Sequence, residues 1–140
     1  MCIRDSSCTG LEFCKLALTT TKARAIELVG ELEKRVGDLD VPITISLNGC
    51  PNSCARTQVS DIGLKGQLVE GEEGFQVHLG GALGVQNPEI GFKLRGLKVK
   101  SRELGDYVVQ LVEKFKEQRH PSEQFRDWVR RAAEEDLQWR

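Results

Sequence analysis

The chain has 140 residues and five cysteines, four of which fall into pairs. Cys8 and Cys14 enclose Thr9-Gly10-Leu11-Glu12-Phe13, and Cys50 and Cys54 enclose Pro51-Asn52-Ser53. The spacings are C-x5-C and C-x3-C, and neither is the C-x2-C knuckle of most structural zinc sites. Two pairs supply four thiolates, the set that a cubane iron–sulfur cluster needs. Two plainer readings stand beside that one: buried structural thiols, and a zinc ion on an unusual ligand spacing. A disulfide ranks below both in a chain without a secretory signal. The remaining cysteine, Cys2, is left over.

The second pair has the more informative surroundings. Gly49 precedes Cys50 and Pro51 follows it. Pro suits the first position of a helix, so the reading here is a helix opened by Pro51, with Cys50 at its mouth and Cys54 one turn in. Residues four apart share a helix face, which would aim both sulfurs at one place. The N–H groups of Asn52, Ser53 and Cys54 would then point at whatever the sulfurs hold. Gly49 would let the backbone come close. Asn52 reads either as a donor to a cluster sulfur or as a cap of the turn.

Ordinary elements must position these residues. Thr19-Thr20-Thr21 offers hydroxyls for an N-cap. Ala25, Leu28, Val29, Leu32 and Val36 then recur at helical spacing, and Gly37 ends the helix. Its other face (Arg24, Glu27, Glu31, Lys34, Arg35) reads as solvated. Val41 to Leu47 alternates like a strand and delivers Asn48-Gly49-Cys50 from its C-terminal end, where open α/β sheets place their ligands. Further strands are expected over residues 57–65, 75–79 and 92–100, with an acidic hairpin loop at Glu70, Glu72 and Glu73. Ser101 is placed to cap a helix with the apolar stripe Leu104, Val108, Leu111, Val112 and Phe115. Ser122 is placed to cap a last one carrying Phe125, Trp128 and Val129, and the tail from Glu134 is expected to fray. The fold class is therefore α+β, a mixed α/β domain with one mixed sheet of roughly four to five strands and flanking helices.

Composition bounds the function. The formal net charge of −1 argues against bulk electrostatic binding to nucleic acid. No apolar run reaches the roughly 18 residues of a membrane helix. Residues 1–7 contain no apolar core of a signal peptide. The expected compartment is the cytoplasm, where paired cysteines are more often metal ligands than disulfides.

With these motifs placed, the chain resembles the C-terminal part of the sirohaem-containing sulfite and nitrite reductases, the nitrite/sulfite reductase 4Fe-4S domain. The similar residues are Cys8-x5-Cys14 and Asn48-Gly49-Cys50-Pro51-Asn52-Ser53-Cys54-Ala55-Arg56. They continue with Asp61-Ile62-Gly63-Leu64-Lys65-Gly66, with Phe75-Gln76-Val77-His78-Leu79-Gly80-Gly81, and with Phe125 to Arg131. The wording is most similar to the ferredoxin-dependent, assimilatory members. The resemblance implies a [4Fe–4S] cluster on Cys8, Cys14, Cys50 and Cys54, and sirohaem whose iron shares the thiolate of Cys54. It implies ferredoxin as electron donor and a six-electron reduction of sulfite to sulfide, with nitrite to ammonia as the alternative. A haem-free electron carrier is the rival outside the enzymes. The basic residues that hold the anion in the family lie upstream of the cysteine motifs, so no catalytic residue is carried over. The expectation is a piece of a longer enzyme, inactive alone, whose upstream half is a partner. Residues 1–7 are set aside as non-native or truncated, residues 8–133 form the cofactor domain, and residues 134–140 form a charged tail.

Other polar residues read more plainly. His78 alternates with Val77 and Leu79 as a sheet histidine rather than a ligand. Arg56 and Lys65 are as consistent with surface as with neutralising a cofactor's carboxylates. Phe125 and Trp128 read as core anchors.

Overall fold

Alternating β-branched and aliphatic residues build one sheet in the order β1-β2-β3-β4-β5. The strands of this computed structural model, which describes residues 3–139, are β1 (Ile3–Ser7), β2 (Ile43–Asn48), β3 (Ile62–Val69), β4 (Glu72–Leu79) and β5 (Phe92–Lys100). β2 lies parallel to both β1 and β3, while β4 is antiparallel to β3 and β5. The helices are α1 (Lys22–Arg35), α2 (Leu104–Gln118), α3 (Phe125–Arg131) and α4 (Glu134–Leu137). This is the mixed sheet with flanking helices that the sequence implies. Met1, Cys2 and Arg140, and with them the reading of Cys2 as the spare thiol, lie outside the described residues.

The register makes the two sheet faces unlike. Ile45 pairs with Ile62 and Ile62 with Leu79; Leu47 pairs with Leu64 and Leu64 with Val77. Directly paired residues share a face, so these are apolar rows across the sheet. They form one core with Leu28 and Leu32 of α1 and with Val108, Leu111 and Phe115 of α2. Phe125 and Trp128 are fully buried, each within 5.6 Å of the Phe115 ring centroid, as core anchors should be. The opposite face carries Thr44, Ser46 and Asn48 of β2. His78 is buried within β4, opposite Gly63 and Lys93.

Several local expectations are corrected. Thr21 does not cap α1, because its hydroxyl donates to the carbonyl of Cys8 instead. Arg24 is buried rather than solvated: its Nε donates to the Ser101 carbonyl at 3.1 Å, tying α1 to the start of α2. Residues 57–59 form a 3₁₀ turn, and the strand begins only at Ile62. The acidic loop is a tight turn at Glu70-Gly71, both with positive φ, so Glu72 and Glu73 belong to β4. Lys100 pairs with Glu70 and Glu72 there. Ser101 and Ser122 make no side-chain cap, and a 3₁₀ turn precedes α2. The tail does not fray: α4 buries Leu137, whose carbonyl accepts the Tyr107 hydroxyl at 2.8 Å. Burial without a charged partner pushes the Tyr107 phenol well above its ordinary pKa. At the other end, residues 3–7, which the sequence reading set aside, supply the edge strand β1.

Candidate metal centre

Everything at the candidate site hangs from the C-terminal end of β2. The Cys8 N–H donates to the Leu47 carbonyl at 3.0 Å, continuing the β1–β2 pairing by one residue. The Gly49 N–H donates to Cys8 Sγ at 3.1 Å. The Thr21 hydroxyl holds the Cys8 carbonyl at 2.6 Å. Cys14 is set by a turn in which its N–H donates to Gly10 at 2.8 Å. The chain then doubles back, and the N–H groups of Leu18 (2.6 Å) and Thr19 (3.1 Å) both donate to the Gly49 carbonyl. The first cysteine pair therefore wraps the strand end that carries the second. Gly66 leaves the room for this, since a Cβ there would lie 2.5 Å from the carbonyl carbon of Gly49.

The second pair is not held by a helix. Residues 51–56 are successive turns, and Ser53 (φ +56°) and Arg56 (φ +58°) adopt the left-handed conformation that ends any helix. What replaces the helix is a side-chain ladder on the polar face of β2. Asn48 binds Ala55 and Thr57, Ser46 binds Ser60, and Thr44 binds Asp61. The Asp61 carboxylate accepts both the N–H and the hydroxyl of Thr44 at 2.9 Å. The whole connection from Cys54 to β3 thus lies flat against the sheet, opposite α1. Burial raises the Asp61 carboxyl above its ordinary pKa, against the lowering effect of Thr44 and of Arg126. Sequence reading missed this ladder. Its signal is a polar residue at every second position of an otherwise apolar strand, answered by Thr57, Ser60 and Asp61.

Exposure separates the four cysteines. Cys50 is buried, Cys8 and Cys14 are half-buried, and Cys54 is exposed. Asn52 is exposed in its turn and caps no helix. Lys65 stands opposite Asn48 in the β2–β3 register. Arg56 and Arg126 line a cleft of about 800 Å³ that begins beside Ala55 and extends along the polar sheet face. Among the described residues no three Cys, His, Asp or Glu side chains converge on one ion. A polynuclear cluster asks for something else: thiolates spread around it, with N–H groups aimed at sulfur. The donor set fits such a group, on the Gly49 bond to Cys8 Sγ and on the two cysteine loops that meet at one strand end.

The comparisons with known proteins decide the family. The profile of the nitrite and sulphite reductase 4Fe-4S domain matches residues 2–138. The chain belongs to this family. Sulfite reductase [ferredoxin] 2 of Mycolicibacterium paratuberculosis is 57% identical over 140 residues, covering 94% of this chain and 25% of the relative. Sulfite reductase [ferredoxin] of Mycobacterium tuberculosis is 53% identical with the same coverage. The solved structure of the Mycobacterium tuberculosis NirA protein superposes with a TM-score of 0.90 at 52% identity, over 96% of this chain and 26% of that one. The chain thus spans about a quarter of the length of these relatives. The matched region includes residue 2 onward, so β1 falls within it.

Proposed function

We propose that this chain is the cluster- and haem-anchoring part of a ferredoxin-dependent sulfite reductase, with Cys8, Cys14, Cys50 and Cys54 as ligands of a [4Fe–4S] cluster. The observation that carries the reading is the gathering of both cysteine loops at the end of β2: Cys8 bonds Leu47, the loop after Cys14 bonds Gly49, the turn after Cys54 bonds Asn48, and the Gly49 N–H lies on Cys8 Sγ. When bound, the cluster supplies single electrons, and sirohaem supplies an iron at which an oxyanion is held. The chain's own residues do the rest. Gly49 donates to a ligand sulfur, and Cys50 is buried away from water. Of the four, Cys54 is the exposed one, accessible to a second iron that would share its thiolate. A thiolate is the soft ligand such a bridge requires.

The substrate reading is sulfite, carried by relatives whose names specify sulfite and ferredoxin. Nitrite is the second reading, favoured by the family's own description. The working compartment is the cytoplasm, and no helix among the described residues is long and apolar enough to cross a membrane. The polyanionic haem and the anionic substrate both need several cationic partners. Arg56 and Arg126 are too few for both, so the remaining cations belong to a body like the other three quarters of the relatives.

The test is reconstitution with iron, sulfide and sirohaem, followed by a viologen-linked assay. The chain alone should show cluster absorption and no steady sulfide or ammonia production. Adding the complementary part of the Mycolicibacterium relative as a separate polypeptide should produce sulfide. Sustained turnover by the chain alone would overturn the division of labour. A chain that takes up no iron or sulfide would overturn the cluster reading itself.

A further inference from the structure

Three of the cysteines are held mainly by main-chain contacts or by loop turns at the strand end. At Cys54 a single buried side chain holds the residues on both sides. The Asn48 carboxamide oxygen accepts the N–H of Ala55 at 2.6 Å. That N–H belongs to the peptide plane that also contains the carbonyl of Cys54. Fixing the plane fixes the Cα of Cys54 and the backbone on its C-terminal side, and holding the preceding residue as well sets the direction of its Cα–Cβ bond. The Asn48 amide nitrogen donates to Thr57 Oγ1 at 2.8 Å and, more weakly, to the Leu64 carbonyl at 3.4 Å. Thr57 Oγ1 in turn lies 2.8 Å from Ser53 Oγ. One buried carboxamide therefore clamps the turn from both sides of Cys54: Ser53 through Thr57, and Ala55 directly. Asn48 itself is 1% exposed and sits in the last position of β2, so its own place is set by the sheet.

The turn needs such a clamp. Ser53 and Arg56 both have φ near +57°, a region that disfavours residues with a Cβ. A free loop would relax out of it. We infer that Asn48 is the positioning residue for the Cys54 thiolate, acting through the Ala55 peptide and the Thr57 hydroxyl. Its amide oxygen and nitrogen are taken up by Ala55, Thr57 and Leu64, so its role is positioning. The inference rests on the cluster reading for its purpose, while the positioning itself is a property of the chain.

Two measurements test it on the full chain, for wild type and for Asn48→Ala, Asn48→Asp and Thr57→Val. The first is amide hydrogen exchange in the cluster-free protein. Ala55 should be protected in wild type, lose protection about tenfold in Asn48→Ala, the factor set by one hydrogen bond, and keep most of it in Asn48→Asp, which retains the acceptor oxygen. The second is oxidation of the reconstituted protein with ferricyanide, followed by electron paramagnetic resonance. Ferricyanide removes one electron, one Fe²⁺ leaves, and [4Fe–4S]²⁺ becomes [3Fe–4S]⁺. The three-iron signal should appear about tenfold faster in Asn48→Ala, at an intermediate rate in Thr57→Val, and near the wild-type rate in Asn48→Asp. If Asn48→Ala fails to fold, Thr57→Val still decides, since it removes a single hydroxyl. Unchanged Ala55 exchange and unchanged iron loss in the folded variants would overturn the inference. Equal loss in Asn48→Asp and Asn48→Ala would also overturn it, because only a general packing role predicts that. A wild type that binds no cluster defeats the proposed function, and the exchange measurement then still decides for or against Asn48.

Discussion

Gly63 shows how single residues shape this site. A Cβ on it would overlap the Thr57 carbonyl, so only glycine lets the connection from Cys54 lie against the sheet. Gly63→Ala should lift that segment and cost ~1–3 kcal/mol, as overpacking does, measurable by urea unfolding. Asp61, at the far end of the same ladder, makes a pH-dependent prediction. Its folded carboxyl titrates above the ordinary 3.8, with burial as the largest cause. Its stabilising share is therefore complete below 3.8 and is lost as pH rises through the raised value. Asp61→Asn keeps an acceptor for Thr44 and carries no charge, so it should flatten stability between pH 4 and pH 7 relative to wild type, followed by thermal unfolding. A variant with an unchanged pH profile would show that the lowering effects of Thr44 and Arg126 cancel that of burial. The two cysteine pairs were visible in residue type and spacing. Asn48 was not, because its role depends on Ala55 and Thr57 folding back over it, and a strand-end Asn before Gly reads only as the start of a turn.

Elements with strong periodicity were legible almost to their ends. Leu28, Leu32 and their neighbours announced α1, and the alternation from Ile43 announced β2. The caps were not legible: Thr21, placed to cap α1, gives its hydroxyl to the Cys8 carbonyl instead. The expected helix after Pro51 failed because Ser53 turns left-handed while the Asn48 oxygen takes the Ala55 N–H. Local propensity lost there to a tertiary contact. The joint between α2 and α3 is likewise built by a tertiary pair. Arg131 donates to Glu123 with Nε at 2.8 Å and Nη2 at 2.6 Å, and the His120 N–H adds a third bond at 3.1 Å. The Arg131 fork is the first cause that brings the Glu123 carboxyl from 4.5 down to about 2. This group's stabilisation is present above 4.5 and lost as pH falls toward 2, the reverse of Asp61. Glu123→Gln should lower the melting temperature at pH 7 and leave it nearly unchanged at pH 2, by calorimetry. Trp128→Ala, in the aromatic cluster beneath this joint, should cost ~3–5 kcal/mol at any pH in that range.

At the scale of the whole molecule, the apolar face of the sheet carries the core, and the end of β2 gathers the two cysteine loops. The helices need no cofactor to pack. The loop over residues 8–19 and the turns over 48–57 are held by single hydrogen bonds around four thiols. Ligand binding free energy is folding free energy for such segments. Removing the cluster should therefore speed amide exchange in these two segments while leaving α2 and β4 protected, and uniform exchange with and without cluster would contradict it. The central claim is the ligand set itself. Iron and acid-labile sulfide assayed on the chain reconstituted with iron and sulfide, without sirohaem, should give about four of each per molecule, as a cubane requires. Cys2→Ser should keep that content, and Cys54→Ser should lose most of it. Full cluster content in Cys54→Ser, or an empty Cys2→Ser, would contradict the account.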